Sequence, residues 1–526
     1  MLEKKDTSLK TLYEYLRKFH LSDSLILVGA INSALKYGAK QFWTDGIHPS
    51  VIGWLKAHCS DERDSFSIYT GTTRLARFLL LSGANDYRDK SLSLNDQSFA
   101  IALNMAGNIY ERELERNILA PDLASVLGRT SQWQFPLQSD QAALLGRAYL
   151  LFVLLAEQPV SGYSLEQKMR EYFNIGTFEF MATGMIIWIK TDGYEYDLID
   201  IFIPGLKKVA TEKNQQTFLR LSSGTPEAYR RLIRGNDWKN SNKLLDIYAL
   251  DPFLAIPAIE IARSTTYKAG GFVIPQPHYL FERASHGMFY LLANKEQALA
   301  KAAGNKGQNS FRVEFGFIYR NYVGMQLDQD NSNFDFIDLD NDFNHTSGGK
   351  MPDFAIVKNN ACILFEVKTT LLNVAARSYY EPEVLESEIK KGVFNKALDQ
   401  LQSFAEAVLQ GRLDDPRFRN IKRVIKVLIG YDDIFVLNTL ILPLLNKHYG
   451  NKAEHLQLAC VSDVDVMGTL VAERRDLVKM IIEKVDSPEK HSYAFIADWE
   501  KKASINNPVL RRAYDDLMLR MAGPSV

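Results

Sequence analysis

The sequence predicts an α/β layer architecture with a mixed sheet in the C-terminal part of the chain, preceded by a mostly α-helical region. Three observations carry this. Residues from about 8 to 260 repeat apolar side chains at three- and four-residue steps. After Gly270 the texture changes, and Val-, Ile- and Phe-rich runs alternate with helical ones. From residue 310 onward the element order reads helix, β-hairpin, helix, strand, helix, strand. One boundary is expected at residues 265–300. It separates a helical recognition or interaction region (1–265) from an α/β domain (301–526), with 266–300 as the connecting segment.

In the first region, "TLYEYLRKFHL", "TRLARFLLLSGA", "QSFAIALNMAGNIYERELERNIL" and "AALLGRAYLLFVLLAE" are amphipathic helices punctuated by Pro and Gly. No repeat period calls for a solenoid. One stretch, Lys207 to Lys243, is locally basic and includes Arg230, Arg231, Arg234 and Lys239, with Tyr229 and Trp238 among them. Basic groups beside aromatics suit a nucleic-acid groove. A solvated helix face has the same pattern. After "GGFVIPQPHYLF", which runs from an extended piece into helix, "FRVEFGFIYRNYVGMQL" reads as an amphipathic helix. The acidic, Asn-rich "DQDNSNFDFIDLDNDFNHTSGG" reads as a solvated loop. It lacks the sixth-position Gly and twelfth-position Glu of an EF-hand, and its His345 reads as a surface residue. One long helix is expected over "EVLESEIKKGVFNKALDQLQSFAEAVLQG". Strand "IKRVIKVLIGY", helix "DIFVLNTLILPLLNKH" and strand "LQLACVSDVDVM" follow. Lys422 and Lys426 would share a face, either beside a cleft or as the charges that protect an edge strand.

Composition sets further bounds. The chain has 526 residues, of which 46% are hydrophobic and 24% charged, and a net charge of −1. No global basic field announces a nucleic-acid partner, so such binding would need a local patch. Cys59, Cys362 and Cys460 are too scattered for a metal motif or a disulfide framework, which fits a reducing cytoplasm. The N-terminus has no apolar segment of the signal-peptide kind, and no apolar run is long enough to span a bilayer. P-loop, dinucleotide and HExxH fingerprints do not occur.

The informative stretch is "MPDFAIVKNNACILFEVKTT", Met351 to Thr370. Asn359-Asn360 reads as a two-residue turn, because Asn tolerates the positive φ that hairpin turns require. Counting outward pairs Lys358 with Ala361, Val357 with Cys362, and finally Asp353 with Glu366. Opposed side chains share a face at about 4.5–5.5 Å between Cβ atoms, and the strand period adds Lys368 to it. Both faces of the hairpin are otherwise apolar, so it belongs inside a covered sheet. Two opposed acids repel and raise one another's pKa. Mg²⁺, which takes a few carboxylates plus waters and a phosphate, would relieve that repulsion. Lys368 would then activate water or stabilise charge developing on phosphate. A salt bridge from Lys368 to both acids at the sheet margin is the alternative.

These residues resemble the motif of the PD-(D/E)XK nuclease superfamily. Pro352-Asp353 stands at its Pro-Asp and Glu366-Val367-Lys368 at its Glu-x-Lys, within the same element order over about residues 300–465. The resemblance implies a restriction-endonuclease-like core and metal-dependent phosphodiester hydrolysis, with DNA as the expected substrate. It implies Mg²⁺ or Mn²⁺ held by Asp353, Glu366 and the backbone carbonyl of Val367, with Lys368 as the catalytic lysine. A Gln on the next helix often assists in the family; Gln400 is the preferred candidate and Gln402 the other. "GFIYRNYVG" matches a further family pattern but carries Arg320 where members often have an acid. Glu314, about 120° round the helix at 3.6 residues per turn, is a candidate substitute ligand, and Arg320 a candidate phosphate contact. A helical N-terminal half joined to such a core resembles prokaryotic defence and restriction proteins. It implies a homodimer or a subunit of a larger complex, with either cutting or inactive, sensor-like binding as the activity.

Overall fold

The computed structural model describes residues 8–36, 43–118, 140–191, 194–195, 204–235, 252–261, 271–305, 309–329, 333–342, 351–373, 376–377, 382–434, 437–492 and 507–523. Helices dominate, with two small mixed sheets. The chain forms two compact units that interleave in sequence. One comprises Met1–Leu123, Met169–Leu291 and Leu519–Val526; the other comprises Ala124–Lys168 and Leu292–Met518. The single boundary expected from composition at 265–300 therefore falls close to one of several crossings. Segment 124–168 belongs with the C-terminal unit because its buried side chains, Arg147 among them, pair there.

The first unit holds helices Leu21–Leu35 and Glu62–Ser82, packed against each other. Thr177–Lys190 is apolar on nearly every side and buried, as a central helix must be. A region read as helical also contains β1 (Tyr194–Glu195), β2 (Ser223–Gly224) and β3 (Ala258–Ile261), which form a sheet with β4 (Gly271–Val273), the extended piece expected there, in the order β1-β4-β3-β2. These strands have two to four residues, too few for an alternating pattern to register.

The second unit is built on β5 (Asp335–Asp338), β6 (Phe354–Lys358), β7 (Ala361–Lys368), β8 (Arg423–Gly430) and β9 (Leu456–Ala459), in that spatial order. β5, β6 and β7 pair antiparallel, while β7, β8 and β9 pair parallel. The hairpin register is the expected one, from Lys358 opposite Ala361 to Phe354 opposite Phe365, and Asn359 has φ 55° at the turn. Every residue of β6 and β7 except the terminal Lys358 and Lys368 is buried. One face packs its Ala355, Val357, Cys362 and Leu364 with Phe394, Leu398 and Leu401 of helix Gly392–Leu409. Helix Ser310–Leu327 contacts β7 as well as helix Val461–Ala472.

Four expectations are corrected in this unit. The acidic loop is a strand, β5, followed by one helical turn, Leu339–Asp342, because Phe336 and Ile337 have a sheet edge to join. Residues 343–350, with His345, lie outside the described residues. The long helix breaks at Lys391, whose backbone is extended (φ −79°, ψ 151°), between helices Pro382–Lys390 and Gly392–Leu409. The alternation "VSDVDVM" is not strand: β9 stops at Ala459, and Asp463 turns back to accept the Cys460 N–H at 2.7 Å, which starts a helix at Val461. Finally, β8 lies between β7 and β9 and is no edge. Lys426 is buried there, donating to Gln402 Oε1 at 2.7 Å and the Lys452 carbonyl at 2.9 Å.

Candidate active site

The hairpin end brings Asp353, Glu366 and Lys368 together. Asp353 precedes β6 in a bend, and its N–H donates to the Phe365 carbonyl at 2.9 Å. Its Oδ2 accepts the Val367 N–H at 2.7 Å. N–H and C=O of one strand residue point to the same side, so the Val367 carbonyl also faces the side where Asp353 sits. Glu366 is 1% exposed. Its Oε1 accepts from Lys368 Nζ, whereas Oε2 is buried with no hydrogen-bond partner among the described residues. A buried unpaired oxygen costs about 1–3 kcal/mol, more if charged. Burial, reinforced by the Asp353 charge and only partly offset by Lys368, pushes the Glu366 carboxyl up to about 8. Burial also raises Asp353, against the opposing effects of the Val367 N–H, Lys368 and Arg320.

Arg320 and two acids complete the cluster. From helix Ser310–Leu327, Arg320 Nε donates to Asp353 Oδ1 at 3.0 Å and Nη2 to the Asp353 carbonyl at 3.3 Å. Nη1 and Nη2 also grip Asp338 at 3.2 and 2.5 Å, and Nη2 lies 3.1 Å from Asp340. The guanidinium sits 4.5 Å from the centre of the Phe354 ring. Burial disfavours its charge, but the Asp338 hydrogen bonds and the three carboxylates outweigh that and raise its pKa. Asp338 and Asp340 were not expected here. Their signal was the Asp-x-Asp alternation at the end of β5, hidden by reading the segment as loop. An open groove of about 780 Å³ adjoins them, lined in part by Arg320, Asn321, Phe336, Asp338 and Arg512.

The other candidates are placed as follows. Gln400 donates to the Met351 carbonyl at 3.0 Å, two residues before Asp353, and so braces the bend. Gln402 instead engages Lys426 and Glu406. Glu314 does not join Asp353: it is buried and accepts the N–H groups of Val160 and Ser161 at 2.8 and 2.7 Å, which satisfy both its oxygens. Arg230, placed from sequence in a nucleic-acid patch, donates to the Leu80 and Ala84 carbonyls at 2.6 and 2.9 Å, closing the end of helix Glu62–Ser82. Arg231 is exposed, whereas the Arg234 side chain and Lys239 lie outside the described residues.

The residues fit a divalent cation in part. Glu366 Oε2 has no partner among the described residues, and Asp353, although bonded through both oxygens, retains lone pairs for a second interaction. Among the described residues no group of three or more Asp, Glu, His or Cys side chains converges as a complete ligand set, so water, the Val367 carbonyl and substrate oxygens would supply the remainder. No helix among the described residues is long and apolar enough to cross a membrane. No protein-family model matches the chain, and no curated protein matches it.

Proposed function

We propose that the chain is a metal-dependent nuclease of the PD-(D/E)XK type, a DNA endonuclease acting in the cytoplasm in prokaryotic defence or restriction. The observation that carries this reading is Glu366 Oε2, a buried acid oxygen beside Asp353 and Lys368 with no partner among the described residues. Asp353, Glu366 and the Val367 carbonyl would hold Mg²⁺ or Mn²⁺, which supplies Lewis-acid charge at the scissile phosphate. Lys368 holds Glu366 in place and has a partly exposed ammonium group to orient water or meet developing negative charge. Gln400 fixes the backbone that carries Asp353. The first unit would recognise DNA, a partner or a second copy of the chain. Asp353→Ala and Lys368→Ala should each lower Mg²⁺-dependent plasmid cleavage by about 10²–10⁴-fold. Undiminished cleavage in both variants would sink the site assignment.

A second reading is favoured by Arg320. Its guanidinium occupies Asp353 and would oppose a cation there, as in a nuclease-like subunit that binds nucleic acid without cutting. Tight binding of duplex DNA with no cleavage in Mg²⁺ or Mn²⁺ would select it.

A further inference from the structure

Arg320 stands where three carboxylates meet. Asp353 is shared between it and the rest of the site: Oδ1 takes Arg320 Nε, Oδ2 takes the Val367 N–H, and Glu366 with Lys368 lies on the other side. Sites with two divalent ions place them about 4 Å apart around shared carboxylates. Here one side of the shared carboxylate is filled by a guanidinium. We infer that Arg320 takes the place of a second divalent ion, so that the site holds one cation, between Asp353 and Glu366. This rests on the metal-nuclease reading.

The charges agree with it. Asp338, Asp340, Asp353 and Glu366 contribute four negative charges when ionised, and Arg320 and Lys368 two positive ones. Over these six groups the remainder is −2, which a single divalent ion cancels. Without Arg320 the remainder is −3, with no guanidinium between Asp338, Asp340 and Asp353. Arg suits the role better than Lys. It never deprotonates in proteins, and its planar fork spans both oxygens of Asp338 while its Nε reaches Asp353. Packing on Phe354 fixes the plane. Asp338 and Asp340 thereby become the anchors of a built-in cation, and Arg320 remains beside the site to meet a phosphate oxygen.

The test is a count of bound Mn²⁺ per full-length chain by electron paramagnetic resonance. The wild type should bind one, Glu366→Gln none, Arg320→Gln two, and Arg320→Lys, which keeps the charge, one. Arg320→Met, which keeps the contact with Phe354, replaces Arg320→Gln should that variant fail to fold, and should also bind two. Two Mn²⁺ in the wild type, or one in both neutral variants, overturns the inference. If the wild type binds one ion that Glu366→Gln abolishes, while the neutral variants still bind one, the metal site stands and only the role of Arg320 falls. If the wild type and every variant bind none, the metal-nuclease reading falls with it.

Discussion

Among the described residues of the second unit, the acid–base cluster around Arg147 and the one at the hairpin end differ in closure. In one, Arg147 donates to Asp465 Oδ2 at 2.8 Å and lies 3.5 Å from Asp433 Oδ2. Tyr322 donates to Asp465 Oδ1, and Ser462 donates to Asp433 Oδ1 through its hydroxyl at 2.6 Å and its N–H at 3.1 Å. All four carboxylate oxygens are satisfied. In the other, at the hairpin end, Glu366 Oε2 has no partner among the described residues. Burial acts on acids in both, raising Asp465 to about 6 and Glu366 to about 8. Burial and a raised pKa therefore do not separate the Arg147 cluster from the candidate metal site. What separates them is whether every carboxylate oxygen has a partner among the described residues. The first cluster ties the Gln141–Tyr149 helix to helix Val461–Ala472; the second leaves Glu366 Oε2 unsatisfied among the described residues.

The comparison breaks most readily at Arg147. Removing one partner of a buried ion pair costs about 3–5 kcal/mol. Arg147→Ala should lose that much protection in hydrogen exchange at the β7–β8 ladder, while the Mn²⁺ count is unchanged. A loss below about 1 kcal/mol, the range of exposed pairs, would mean that this cluster is not the structural one.

Glu366 sharpens the contrast through pH. Its carboxyl holds a proton up to about 8 in the folded chain but releases it at ordinary carboxylate pH when unfolded. Its contribution to stability is therefore full below about pH 4.5 and is lost as pH rises toward 8, with a limiting slope of about 1.4 kcal/mol per pH unit. Metal-free wild type should lose stability relative to Glu366→Gln over pH 5–8, as read from urea midpoints, and Mn²⁺ should restore it at pH 8. Parallel pH profiles for the two proteins would mean that Glu366 is not held in a site that lacks a partner. The smallest effect belongs to Gln400→Ala, which removes one hydrogen bond to the Met351 carbonyl. It should cost about 1 kcal/mol of local stability and lower cleavage far less than Lys368→Ala does.

Much of the hairpin was legible because its determinants are local. Asn359-Asn360 specify the turn, the turn specifies the register, and a period of two then aligns Asp353, Glu366 and Lys368. Helix Ser310–Leu327 and strand β8 were legible from long apolar patterns. The misreadings share one cause: short segments whose state is chosen by a neighbour. Asp335–Asp338 is strand only because β6 offers an edge. "VSDVDVM" alternates like a strand, yet the Asp463 side chain meets the Cys460 N–H and begins a helix. Arg230 looks like a free cation in sequence, but the end of helix Glu62–Ser82 presents carbonyls that need a donor.

The sequence by itself determined that two acids and a lysine converge at the end of an apolar hairpin, since turn chemistry and strand period act over a few residues. Only the tertiary structure decided how that end is charged. It sent Glu314 to the Val160 and Ser161 N–H groups, and it brought Asp338 and Asp340 around Arg320. It also left Glu366 Oε2 without a partner among the described residues. These outcomes depend on which groups meet across tens to hundreds of residues, where electrostatic and hydrogen-bond partners are set by packing and no local pattern records them.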